Sequence, residues 1–190
     1  MSTGPLSDPG RRALARIRHC VHLHEQELLG LDDFFSQALP VLAEGLGCDR
    51  VSVWTYSQRG PQQALHCERL HHTGHDAAPL PPLVEQQHPD YFRELDRWGI
   101  LSANDALSHP ALHSMREAYL KPNDIHSLLD VPFAVNGRRT GLLCGEQTGA
   151  PVDWSAVQIS LMRQAGVIGS LLMHRLQGRS RRPDALRFAG

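Results

Sequence analysis

Residues 125–149 read IHSLLDVPFAVNGRRTGLLCGEQTG. Two runs of apolar and β-favouring residues flank Asn136-Gly137. Both turn residues tolerate positive φ, so a two-residue type I′ turn between antiparallel strands is predicted. That turn sets Val135 opposite Arg138, Phe133 opposite Thr140, Val131 opposite Leu142, Leu129 opposite Cys144 and Ser127 opposite Glu146. These pairs share one face, because side chains alternate along a strand. Leu128, Asp130, Pro132 and Ala134 then share the other face with Arg139, Gly141, Leu143 and Gly145. Both faces are partly apolar over the middle of the hairpin. Such a pair belongs inside a sheet covered on both sides, and the rest of the chain must supply the covers.

Downstream, Trp154–Gln177 predicts a long helix with Val157, Leu161, Ala165, Ile168, Leu172 and Leu176 on one stripe and Asp153 as its cap. The tail from Gly178 is polar. Upstream, Asp49–Tyr56 (DRVSVWTY) alternates as a strand, and Gln63–His71 reads as the next one after a Gly60-Pro61 turn. Ala78–Leu83 is proline-rich connection. A short helix is predicted from Pro89 to Trp98, stopped by Gly99, then a short strand over Ile100–Ala103. A further helix over Ala111–Leu120 follows His109-Pro110. At the start, Met1–Gly10 is expected to be disordered, Arg11–Leu29 keeps a helical spacing, and a second helix runs from Asp32 or Asp33 to Leu46, with Pro40 inside and Gly47 as stop. The order gives an α+β fold. A mostly antiparallel central sheet of five to six strands carries long N- and C-terminal helices on one face, and short helices and loops cover a pocket on the other.

Composition narrows the function. The chain has 190 residues, 41% hydrophobic and 21% charged, with a formal net charge of -1. That is a globular balance with no basic surplus for nucleic acid or an anionic membrane. No signal-peptide core or bilayer-length apolar run is read from the sequence. Four cysteines (Cys20, Cys48, Cys67, Cys144) without a CxxC pair point to reduced thiols and a cytoplasmic protein. The 12 histidines form no zinc-ligand spacing: His19, His22 and His24 lack a second ligand set, and His71, His72 and His75 fall in a loop.

DRVSVWTY (49–56), HPDYF (88–92), residues 99–149 and the helix opening DWSAVQ (153–158) together resemble a GAF domain, of the kind that serves as input domain in bacterial diguanylate cyclases, phosphodiesterases and sensor histidine kinases. The likeness covers residues 32–177, within a sensor domain of residues 11–177 that has a polar tail over 178–190. It implies a small-molecule sensor whose terminal helices form a homodimer and pass the signal to a cyclase or kinase, in cis in a longer protein or in trans. The cyclic-nucleotide motif of some relatives is not visible, and the Ala111–Leu120 segment lacks the cysteine of bilin-linked relatives. The sequence names no cofactor, although His88, His109, His113 and His126 fall near the implied pocket.

The pocket is assigned by face. Gly141 and Gly145 allow close approach of a helix, so their face is assigned to the long helices, and Val51 and Val53 are assigned to the same side. Ser52, Trp54, Ser127, Leu129, Cys144 and Glu146 are then expected to look into the pocket, closed by Tyr91, Phe92, Asp105, Met115, Tyr119 and Ile125. Two other functions compete with sensing: a dimerisation and interaction module whose pocket is filled by its own side chains, and a free methionine sulfoxide reductase using Cys67 and Cys144. The second needs an activated thiol, and the family's cysteine spacing is absent, so no enzyme activity is expected. Asp105 competes as a turn cap, Glu146 as a solvated strand end, and Arg138 and Arg139 as solvated turn residues.

Overall fold

The computed structural model describes residues 8–56, 63–74 and 79–180. The expected Gly60-Pro61 turn, most of the N-terminal decapeptide and most of the polar tail lie outside them. Among the described residues four α-helices, α1 (Asp8–Glu25), α2 (Leu31–Leu46), α3 (Pro89–Trp98) and α4 (Ala156–Ser180), accompany six strands. The strands are β1 (Arg50–Tyr56), β2 (Ala64–His72), β3 (Leu83–Val84), β4 (Leu101–Ala103), β5 (Ile125–Val135) and β6 (Arg138–Thr148). They form one antiparallel sheet in the order β3-β2-β1-β6-β5-β4. The fold is the α+β architecture expected from the order of elements.

Local chemistry explains most boundaries. Asn136 (φ 51°) and Gly137 (φ 74°) both take positive φ, as a type I′ turn requires. Gly47 and Gly99 stop α2 and α3 in the left-handed conformation. Pro89 opens α3, where its missing N–H costs nothing. Several expectations change. α1 begins at Asp8, inside the segment expected to be disordered, and ends four residues before Leu29. β3 adds a short edge strand within the proline-rich connection. Residues 110–123 are not a regular helix. They run as a 3₁₀ turn (Pro110–Met115), a π turn (Arg116–Leu120) and a second 3₁₀ turn (Lys121–Asn123). α4 is capped by Ser155 instead of Asp153. The Ser155 hydroxyl accepts from Gln158 N (3.3 Å) while Gln158 Oε1 accepts from Ser155 N (2.8 Å), a reciprocal capping box. Asp153 accepts from Asn104 Nδ2 instead.

The β5–β6 register differs from the one expected. Val135 pairs with Arg138 and Ala134 with Arg139, but Phe133 pairs with Gly141. Thr140 is therefore an extra residue, a β-bulge, and every pair beyond it shifts by one. Leu129 now faces Gly145 and Val131 faces Leu143, while Asp130 faces Cys144 and Leu128 faces Glu146. Leu129 and Ser127, expected in the pocket, thus lie on the helix side. Leu129 joins the core beneath the helices, and Ser127 Oγ is tied to Asn104 O (2.6 Å) and to Val152 N (2.8 Å).

Two cores result, one on each side of the sheet. The first packs α1, α2 and α4 on Val51, Val53, Leu129, Val131, Phe133 and Leu143. The second packs α3 and residues 101–120 on Trp54, Leu128, Leu142 and Cys144. Gly141 and Gly145 lie on the helix side as predicted. Gly145 takes Leu46 and Met162 against it, and a Cβ at Gly141 would overlap the Phe133 ring and the Trp54 carbonyl oxygen. Gly141→Ala is expected to cost about 1–3 kcal/mol through overpacking, read as a lower urea midpoint. An unchanged midpoint would show that the strands yield at this point.

Within α4, Ala156–Gly178 meets the length and composition of a membrane span, at a mean hydropathy of 1.2 with 33% of the window buried inside the domain. This corrects the absence of any such run inferred from sequence. Leu161, Met162, Ala165 and Leu172, on its buried side, seat the helix on the sheet.

Candidate functional site

The side of the sheet beneath α3 and residues 101–120 gathers most of the predicted pocket residues. Trp54, Tyr91, Phe92, Met115, Tyr119, Ile125 and Cys144 belong to one buried cluster. Trp54, Tyr91 and Met115 have no accessible surface and Phe92 has 1%, so no water-sized space opens onto them. Their rings interlock edge to face, with Tyr91 and Phe92 at 5.1 Å and Trp54 and Tyr119 at 6.2 Å between centroids. Ser52, also fully buried, accepts from Trp54 Nε1 at 2.8 Å and fixes the indole. Asp105 departs from expectation. It is exposed and accepts from Ser108 N and Oγ, so it caps a turn.

Buried polar groups give this core its chemistry. Glu146 is fully buried, and a solvated strand end is excluded. It accepts from Tyr119 Oη at 2.7 Å and pairs with Arg50 Nε at 3.1 Å. Arg50, 3% exposed, also donates to Asn123 O at 3.3 Å. Asp130, 1% exposed, accepts from Tyr91 Oη at 2.6 Å. Both carboxyls sit on the β5–β6 floor, and both tyrosines come from the cover. Two hydroxyl–carboxyl bonds thus clasp cover to sheet.

Burial dominates the ionisation of every member. It raises Asp130 well above its ordinary carboxyl value, helped by nearby Glu146 and opposed by the Tyr91 hydroxyl. It raises Glu146 more than the Arg50 guanidinium lowers it. The Cys144 thiol, between these acids, is raised well above its usual value, first by burial and then by Asp130 and Glu146. Cys67 is pushed up to about 12, chiefly by burial. Both thiols are shifted away from the thiolate that nucleophilic chemistry needs.

Sequence reasoning missed Arg50 and placed Asp130 on the wrong face. It also placed Arg139 in water. Arg139 is half-buried, pairs with Asp96 (3.0 Å) and Glu85 (3.5 Å), and lies over the Tyr56 ring, a third tie between cover and sheet. The four histidines expected near the pocket do not converge. His88 contacts Ser114 Oγ, His109 pairs with Glu94, His126 with Asp124, and His113 is exposed. Among the described residues no group of three His, Cys, Asp or Glu side chains stands close enough to hold a metal ion.

Solved structures share this architecture. The phycocyanobilin-bound GAF domain of a cyanobacterial phytochrome superposes with a TM-score of 0.71 at 16% identity, covering 90% of this chain and 98% of that one. A far-red-absorbing dark-state protein with bound biliverdin gives 0.68 at 13% identity, over 90% of this chain and 99% of that one. The GAF domain of an Acinetobacter phosphoenolpyruvate-protein phosphotransferase gives 0.63 at 16% identity, over 90% and 98%. At these identities the likeness establishes the fold. No curated protein sequence matches the chain. The model of the GAF domain family matches residues 30–172, from the start of α2 into α4. The chain therefore belongs to the GAF domain family.

Proposed function

We propose that this GAF domain is a small-molecule sensor of bacterial, cytoplasmic signalling, without enzymatic activity of its own. The ligand enters between the sheet and the cover of residues 85–123 by displacing the tyrosines that clasp it. One observation carries this reading: the two buried carboxyls, Asp130 and Glu146, are each bonded to a hydroxyl from the cover. A ligand bearing hydrogen-bond donors replaces those hydroxyls at little net loss, because the carboxyls stay satisfied. The irregular 110–123 segment is the part of the cover best able to move, since 3₁₀ and π turns hydrogen-bond less well than a regular helix. The apparent affinity is the intrinsic one reduced by the open fraction. From the cover, Asn104 connects to α4. Its carbonyl accepts from Ser127, and its side chain bonds Asp153 and Trp154 N. A shift of the cover reaches the start of the signalling helix along this route, and a cyclase or kinase in cis or in trans reads it.

The closed packing of Trp54, Tyr91, Phe92 and Met115 favours a second reading, an interaction module whose compartment is permanently filled. A thermal-shift screen with purines, cyclic nucleotides, amino acids, haem and biliverdin separates them. The sensor reading expects a binder whose effect is lost in Asp130→Leu. Silence across the panel, backed by native mass spectrometry, would favour the filled module.

Homodimerisation through α4 belongs to both readings, but the surface differs from the predicted stripe. Leu161 has no accessible surface and Leu172 has 4%, whereas Val167 and Leu171 are 60% and 53% exposed. Val167 and Leu171 lie one turn apart and form the outward apolar face. The domain is expected to sediment as a dimer at micromolar concentration and as a monomer after Val167→Glu with Leu171→Glu. A monomeric wild type would refute this part.

A further inference from the structure

Across the sheet from the clasped compartment, α1, α2 and α4 border with the sheet a partly open cavity of about 60 Å³. Phe34, Leu42, Phe133, Leu143 and Leu172 form much of its wall. Thr55 is the one described lining residue with a polar side chain, and its hydroxyl is already bonded to Glu68. The wall therefore offers neither a ligand nor a water a hydrogen bond. Its space exists because the helices present Ala38, Ala165 and Gly169 where longer side chains would fill it. Half-buried Phe35, Ile168 and Met173 carry the lining out to solvent.

We propose that this cavity takes the terminal carbons of an unbranched alkyl chain, with the next carbons lying along Phe35, Ile168 and Met173 at its mouth. Chemistry and size set the class of ligand. The interior is small, with room for only a few methylene-sized groups. Each buried methylene is worth about fourfold in affinity, so a compact ligand that only filled the interior would bind weakly. A chain gains from the interior and from the apolar rim together. A polar or charged end must stay outside, because burying it here leaves it unsatisfied. The site is separate from the compartment of Tyr91 and Tyr119, and its occupant presses on Ala165, Gly169 and Leu172 of α4.

Methyl-labelled full-length chain can be titrated with xenon and with sodium octanoate and followed by NMR. Both probes are expected to shift the same Leu143, Ile168 and Leu172 methyls saturably and to compete. Gly169→Ala is a mild way to fill the cavity, since its new methyl comes no closer than 3.4 Å to Phe133. It should weaken octanoate by about fourfold, and Ala38→Val, with two added carbons, by more than tenfold. Three results would overturn the proposal. One is xenon binding without octanoate. Another is octanoate shifts centred on Leu112 and Leu142 across the sheet. The third is unchanged octanoate affinity in both filled variants.

Discussion

Arg50→Met will lower the unfolding free energy by about 3–5 kcal/mol at neutral pH, the cost of leaving a buried carboxylate without its cation. Arg50 and Glu146 are 3% and 0% exposed, so water cannot take the place of the lost guanidinium. The pair itself contributes far less than that loss. Burial already raises Glu146 despite Arg50, which means that desolvation outweighs the ionic attraction. Two consequences distinguish this account from simple loss of packing. First, Arg50→Met with Glu146→Gln should recover to within about 1–2 kcal/mol of wild type, because no buried charge remains and the amide oxygen still accepts from Tyr119. Second, the deficit of the single variant should shrink on acidification. A carboxyl with a raised folded pKa stabilises fully below its unfolded value and loses that contribution as pH rises through the folded one. Urea denaturation of the four species at two pH values measures both effects. Additive losses in the double variant would mean that Arg50 acts through its packing alone.

The fold was legible because its signals are local. Asn136-Gly137 specified the hairpin turn, Gly47 and Gly99 stopped their helices, and DRVSVWTY alternated. Val51, Val53 and Trp54 fell on the predicted sides because β1 pairs with β6 without a bulge. The cover residues Tyr91, Phe92, Met115 and Tyr119 were found for a similar reason, since large apolar side chains on short elements must face the sheet. The bulge at Thr140 left no comparable mark. An extra residue in one strand depends on how Phe133 packs over Gly141, a contact between residues eight positions apart across the turn. Missing it exchanged Asp130 with Leu129 and sent Ser127 to the wrong side. Asp130 did carry a signal, as the lone acid in the apolar run LLDVPF. An ionisable group there must be paired or neutral, whichever face it occupies. Arg50 carried none. Next to Asp49 at a strand start it looks like any solvated edge residue, and its partner Glu146 is ninety-six residues away.

Asp130 makes the stability of the domain pH-dependent as well. Among the described residues no cation stands beside Asp130 in the way that Arg50 stands beside Glu146; Asp130 has the Tyr91 hydroxyl and the Cys144 thiol. Its pKa is raised well above the ordinary 3.8. Above that ordinary value the unfolded chain releases the proton while the folded domain retains it. The unfolded state then binds fewer protons, so stability falls as pH rises, by up to about 1.4 kcal/mol per pH unit, until the folded pKa is passed. Asp130→Asn keeps an acceptor for Tyr91 and removes the titration. Between about pH 5 and 7 its urea midpoint should fall less steeply than that of wild type, and the two curves should converge toward low pH, where Asp130 is protonated in both states. Glu146, also raised, leaves a residual slope of the same sign in the variant, and removing it as well with Glu146→Gln in an Arg50→Met background should flatten the profile further. Parallel curves for wild type and Asp130→Asn would show that Asp130 is ionised in the folded domain, and the clasp with Tyr91 would then be a charged hydrogen bond. The difference matters for sensing. A neutral Asp130 can donate as well as accept, so it suits an uncharged ligand, whereas an ionised one selects a cation or a strong donor. The pH profile of stability therefore constrains the ligand before any ligand is known.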